Sequence, residues 1–178
     1  VAREKRWLRV GELRKKVLLD PRFGCFVDDS LSSIATICQE YIISEGSTST
    51  RDIRIGGEKV MQLSYWQPFE TFMSRYIAMM KSSMKPYIMV CHEKVDTDQV
   101  NGTLIYRPAI GGQLADKIGG MFSDLWRCEQ KFTPTGVQYV VRTTSTPRMI
   151  LGNSLNLPPE FEFSQTEFKT KIQEVYKL

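Results

Sequence analysis

With 178 residues, 42% of them hydrophobic and 25% charged, the chain has material for one domain with a sizeable core, and its composition argues against disorder over long spans. No apolar run approaches the roughly 20 residues that cross a bilayer, and the basic start (Arg3, Lys5, Arg6) lacks the apolar middle of a secretion signal. The net charge of +4 permits an anionic partner such as nucleic acid without demanding one.

From Arg3 to Leu18 the residues Trp7, Leu8, Val10, Leu13, Val17 and Leu18 recur near helical spacing with Lys and Arg between them, which predicts an amphipathic helix with a basic outer face. Asp20-Pro21 ends it, because the residue before proline is pushed out of the helical region. The run from Phe23 to Val27 then reads as a buried strand whose tip carries Asp28, Asp29 and Ser30. In open α/β sheets ligands bind beyond the carboxyl ends of the strands, so an acid there sits where a metal-bound phosphate or an activated water is found. Capping is the competing reading, since Asp and Ser accept hydrogen bonds from a helix's first free amides. A helix is predicted from Ser30 to Ile43 on the stripe Leu31, Ile34, Ala35, Cys38, Tyr41 and Ile42.

Residues 44–58 are polar and rich in Gly, Ser and Thr, with Arg51, Arg54 and Lys59 in or beside them. A loop of that composition can be plain solvated chain or can grip phosphates. Trp66, Phe69, Phe72, Met73, Tyr76, Ile77 and Met80 predict a second long helix from Tyr65 to Ser83. Lys85-Pro86 breaks it. The run from Tyr87 to Cys91 predicts another strand, ending in His92-Glu93-Lys94. Strands separated by long helices predict parallel pairing, which sets Asp29 and His92 on one edge.

Asn101-Gly102 between short apolar runs predicts a β-hairpin. Gly111-Gly112 opens a predicted helix with Leu114, Ala115, Ile118, Met121 and Phe122 inward. Leu125–Glu129 and Gln138–Thr144 predict an antiparallel edge, and Ser164-Gln165-Thr166-Glu167 reads as the capping box of a C-terminal helix over 164–178. The pattern is one α/β domain over 1–178. Cys25, Cys38, Cys91 and Cys128 are widely spaced with a single histidine, so no zinc site is expected and the thiols are read as reduced and mostly buried. Trp7, Trp66 and Trp126 sit in apolar periodic segments and are read as core; Arg142 and Arg148 are read by default as solvated, with a finger reaching a neighbour's phosphate as the alternative.

This order of parts resembles the ATPase core of RecA-like proteins, most closely the phage-encoded RecA-like ATPases that accompany single-strand-annealing recombination, over about Leu8 to Pro159. The resemblance implies a mostly parallel sheet with flanking helices and antiparallel edge strands. It implies that Val27-Asp28-Asp29-Ser30 is the Walker B element, with Asp29 carrying magnesium through water and Ser30 beside the nucleotide. Asp28, one place earlier, points the other way if the strand alternates. His92 takes the role of γ-phosphate sensor, with Glu93 as a second candidate. Lys94 to Ile110, with Lys94 and Arg107, resembles a DNA loop, and the loop bearing Arg51, Arg54 and Lys59 its partner. ATP and magnesium as cofactors, single-stranded DNA, self-association into a ring or filament, a phage single-strand-binding or annealing protein, and a (host) cytoplasmic setting without membrane contact follow as expectations.

The sequence departs from that family in one respect. A P-loop needs G-x-x-x-x-G-K-[ST], and neither Gly56-Gly57-Glu58-Lys59 nor Gly111-Gly112 nor Gly119-Gly120 supplies it. The chain opens at Val1 inside a helical pattern, and the expectation is that the P-loop portion lies upstream. The alternative is a non-catalytic α/β module for assembly or nucleic-acid binding that has lost the nucleotide.

Overall fold

Asp20 ends the first helix as the following proline requires. In the computed structural model, which describes residues 5–45, 53–55, 57–162, 166, 169–170 and 173–174, helix α1 (Arg6–Leu19) gives way to an extended Asp20 with ψ 117°. The chain is mixed α/β and falls into two compact units, Val1–Lys94 with Pro108–Ala115 and Val95–Arg107 with Asp116–Leu178.

In the first unit α1 is followed by strand β1 (Phe26–Asp29), helix α2 (Leu31–Glu45), the two-residue strands β2 (Arg54–Ile55) and β3 (Glu58–Lys59), helix α3 (Trp66–Lys81) and strand β4 (Tyr87–Val90). The polar stretch expected as loop therefore ends in a small antiparallel hairpin, turned at Gly57 with φ +86°, which favours glycine. Strands β1 and β4 pair in parallel from Phe26↔Tyr87 to Asp29↔Val90. Parallel pairing is confined to these two strands among the described residues.

The core of this unit is α2 against α3: Leu31, Ile34, Cys38 and Ile42 face Phe69, Met73, Ile77 and Met80, all buried. Helix α1 leans on it through Trp7, whose ring centre lies 6.3 Å from Phe72 and 5.9 Å from Tyr76. The expected apolar stripe of α1 needs correction. Leu8 and Leu13 are exposed, whereas the inward side comprises Trp7, Val10, Gly11, Arg14, Val17 and Leu18, so a guanidinium belongs to the packed face. The β1·β4 pair buries one face only. Phe26 and Asp28 are buried, while Val27, Ile88 and Val90 on the other face are 55%, 47% and 44% exposed.

Strands β5 (Glu93–Thr97) and β6 (Leu104–Pro108), which belong to the second unit from Val95 to Arg107, pair around the predicted turn, where Gly102 has φ +69° and its amide donates to the Asp98 carbonyl at 2.8 Å. The helix expected after Gly111-Gly112 is short: α4 (Leu114–Lys117) tightens at once into a 3-10 turn over Ile118–Met121. Gly119 and Gly120 fall where it would have continued, and glycine is a poor helix residue. Strands β7 (Arg127–Thr133) and β8 (Gly136–Arg142) form the expected antiparallel pair, from Arg127↔Arg142 to Thr133↔Gly136. It starts two residues later than expected, because Leu125 instead bridges Gly152 with two 3.0 Å hydrogen bonds.

A third strand, β9 (Glu160–Glu162), joins β8; three residues after Pro158-Pro159 carry no pattern that announces it. Buried Thr143 fixes that return, its hydroxyl donating to the Pro158 carbonyl at 2.7 Å. Thr166, Lys169, Thr170, Gln173 and Glu174 are helical, while Ser164, Gln165 and Glu167 of the predicted capping box lie outside the described residues. No described helix is long and apolar enough to cross a membrane.

Candidate functional site

The tip of β1 separates two adjacent carboxylates by strand alternation. Asp28 is 1% exposed and closes a buried triangle: it forms an ion pair with the Arg14 guanidinium, accepts from the Tyr76 hydroxyl at 2.8 Å, and Arg14 Nε donates to that same hydroxyl oxygen at 3.1 Å. Burial pushes the Tyr76 phenol above its ordinary range, against the opposing pull of the Arg14 charge. Asp29 is exposed, and its carboxylate has no hydrogen bond or ion pair among the described residues. The peptide joining it to Ser30 is cis.

Ser30 starts α2. Its hydroxyl accepts from the Ser33 amide at 3.2 Å and its carbonyl from the Ile34 amide at 3.1 Å, an N-cap. The capping reading and the exposed acid therefore belong to different residues of the same tip.

Because β4 runs parallel beside β1, the residues after Val90 emerge next to Asp29. Ser32 ties the two tips together: its hydroxyl oxygen accepts from the His92 amide at 3.0 Å and lies 3.2 Å from Cys91 Sγ. The His92 carbonyl accepts from the Ala109 amide at 2.6 Å. His92 and Glu93 are both exposed. Burial pushes the Cys91 thiol up, with the Ser32 hydrogen bond acting against it. Ser32 was not legible as a site residue, since a serine in the first turn of a helix has no pattern that names its partner 60 positions on.

Gly111-Gly112 has a packing role. A Cβ on Gly111 would stand 2.5 Å from the Trp66 ring and 2.6 Å from Gln39 Nε2, and one on Gly112, at φ +66°, 2.8 Å from the same ring. Both are glycine so that the backbone can lie against the indole.

The predicted basic residues are placed as follows. Arg54 on β2 is exposed, with Nη1 3.4 Å from the Gly57 carbonyl; Lys59 on β3 and Lys94 on β5 are half-buried. Arg107 on β6 pairs with Asp116 at 2.8 Å and Asp96 at 3.8 Å. Arg51 lies outside the described residues. Arg142, expected to be solvated, bridges Glu129 and Glu160. The thiols also need correction: Cys38 is buried and Cys91 half-buried, but Cys25 and Cys128 are exposed.

Chemically, the shared edge offers one uncommitted carboxylate and one exposed imidazole. No group of three or more His, Cys, Asp or Glu able to hold a metal occurs among the described residues. An ion here would rest on a single carboxylate, water and ligand phosphates, which is how magnesium is usually held. Two open hollows, one lined by Ile53 and Met61–Ser64 and the other between Tyr41 and Phe72, include neither Asp29 nor His92. Comparison with known protein families, curated proteins and solved structures returned no match.

Proposed function

We propose that these residues form the metal side of a RecA-like, nucleic-acid-dependent ATPase acting in phage recombination or single-strand annealing. The observation that carries this reading is the parallel pairing of β1 with β4, which brings Asp29 and His92 to one sheet edge, the edge at which α/β sheets bind ligands. Asp29 suits a magnesium ion held through water, because it is exposed and unpaired where Asp28 is buried and neutralised. Magnesium there would neutralise charge on the phosphoryl group in flight. Asp29 would hold the hydrated ion, the Ser30 cap and the Ser32 tie hold the strand tips in register, and the exposed His92 would contact a terminal phosphate.

The 178 residues contain no G-x-x-x-x-G-K-[ST] run, so they supply the metal side of such a site and not the phosphate cradle. Single-stranded DNA at the ribbons bearing Arg54, Lys59 and Lys94, ring or filament assembly, and an annealing or single-strand-binding partner belong to the same reading.

The test is ATP turnover by the full-length protein with magnesium, with and without single-stranded DNA. Asp29→Asn is expected to abolish most turnover while leaving the fold intact; turnover equal to wild type, or none in the wild type under either condition, would sink the proposal. The alternative reading is a non-catalytic module that assembles or binds nucleic acid. Equilibrium binding of a fluorescent ATP analogue to the full-length protein separates the two, since the module binds none.

A further inference from the structure

The two faces of the β7·β8 pair differ in chemistry. One holds Arg127, Glu129, Lys131 and Arg142, closed with Glu160 of β9 into a chain of ion pairs: Arg127 to Glu129 at 2.6 Å, Arg142 to Glu129 and to Glu160 at 3.1 Å, and Lys131 to Glu160. Alternation sends Gln130, Phe132, Val137 and Tyr139 to the other face. That face is buried near β9, where Val141 is 1% exposed, but bare over its outer half: Phe132 is 84%, Tyr139 59% and Val137 48% exposed. Gln130 Nε2 donates to the Tyr139 hydroxyl at 3.3 Å, tethering that side chain while its ring stays open to solvent.

We propose that this face is a stacking platform for two bases of a single-stranded nucleic acid. The proposal rests on the nucleic-acid half of the reading above and not on ATP hydrolysis. The register sets Phe132 opposite Val137 and Tyr139 opposite Gln130, so the two aromatic residues are diagonal neighbours about 7–8 Å apart. That is roughly twice the 3.4 Å spacing of nucleotides along a stacked strand. One base can sit on each ring only if the bases between which the rings intervene have come apart. A single strand does this readily, because aromatic side chains replace its own stacking; a duplex would have to give up pairing as well.

Charge on the face does not oppose that occupant. The platform carries no carboxylate, and the charged side chains of β7, β8 and β9 that form ion pairs all lie on the opposite face. A polyanion therefore meets no fixed negative charge where its bases would stack. A second protein chain would need a wider apolar surface than three side chains beside a glutamine on a two-stranded ribbon.

The measurement is fluorescence anisotropy of a labelled oligothymidine of about 16 nucleotides, titrated with the Asp29→Asn protein in the absence of nucleotide, so that hydrolysis plays no part. A strand of equal length made of abasic sites, with the same phosphates and no bases, serves as the comparison. Phe132→Ala and Tyr139→Ala are each expected to weaken oligothymidine binding about 5- to 150-fold and to leave abasic-strand binding unchanged, while Phe132→Trp retains full affinity. Both side chains are exposed, and unchanged far-ultraviolet circular dichroism confirms the fold.

Alanine variants that bind oligothymidine like the parent, equal losses on the abasic strand, or no binding by the parent would each overturn the platform. So would sedimentation showing self-association that Phe132→Ala removes, which would assign the face to a second copy. ATP turnover that fails while the base-dependent losses appear defeats the ATPase reading alone.

Discussion

At the residue scale the informative contrast is between Asp28 and Asp29, neighbours of identical chemistry. Asp28 is held between Arg14 and Tyr76 in the packed layer of α1, β1 and α3, so removing its cation leaves a buried charge with one neutral partner. Arg14→Ala is expected to cost about 3–5 kcal/mol, a large part of the roughly 5–15 kcal/mol that holds a domain together. Asp29→Asn, at an exposed position, should stay within about 0.5 kcal/mol of wild type. Urea denaturation of the two variants checks the pair, and a destabilisation of Asp29→Asn comparable to that of Arg14→Ala would contradict the strand's alternation. The sequence made the alternation legible, because an apolar run ending in two acids must send them to opposite faces. It did not reveal the partners. Arg14 looked like one more cation on a basic helix and Tyr76 like one more ring on an apolar stripe, and only packing of α1 against α3 turns both toward the same carboxylate.

At the element scale, the strands and helices with long periodic patterns were legible to within a few residues, and the short elements were not. Strand β9 is an example. Its place is secured by tertiary bonds, Thr143 to Pro158 on one side and Lys131 and Arg142 to Glu160 on the other, none of which is a local signal. Glu160 also gives β9 a pH dependence. The Lys131 ammonium, and then the Arg142 charge, hold its carboxyl below the ordinary value of 4.5. A carboxyl whose folded-state value is depressed stabilises the fold fully above its unfolded value and loses that contribution as pH falls through the folded one. Below pH 4.5 the wild type should therefore lose melting temperature faster than Glu160→Gln, which has no proton to take up, while at pH 7 the variant should be the less stable. Thermal melts from pH 7 to pH 3 measure both arms, and parallel curves would show that the pairs contribute nothing to holding β9.

At the scale of the whole molecule, charge and apolar surface are divided between the units. All of the chain's net positive charge belongs to the first unit, the second being balanced. The first unit also holds the parallel pair whose Val27, Ile88 and Val90 face is open, although parallel sheets ordinarily have both faces covered. The second holds the uncharged platform of Phe132 and Tyr139. Phosphate contacts at Arg54 and Lys59 and base contacts at Phe132 and Tyr139 would respond differently to salt. Phosphate contacts release counterions, so for a single strand the logarithm of affinity falls against the logarithm of salt with a slope of about 0.7 per contact; stacking on a neutral ring releases none. Replacing Arg54 and Lys59 by Gln should therefore flatten the slope by about 1.4 and weaken binding most at low salt. Phe132→Ala should shift the whole line down without changing its slope. Anisotropy titrations between low and moderate salt distinguish the outcomes, and a slope that changes with Phe132 but not with Arg54 and Lys59 would reverse the assignment of phosphate and base contacts to these residues.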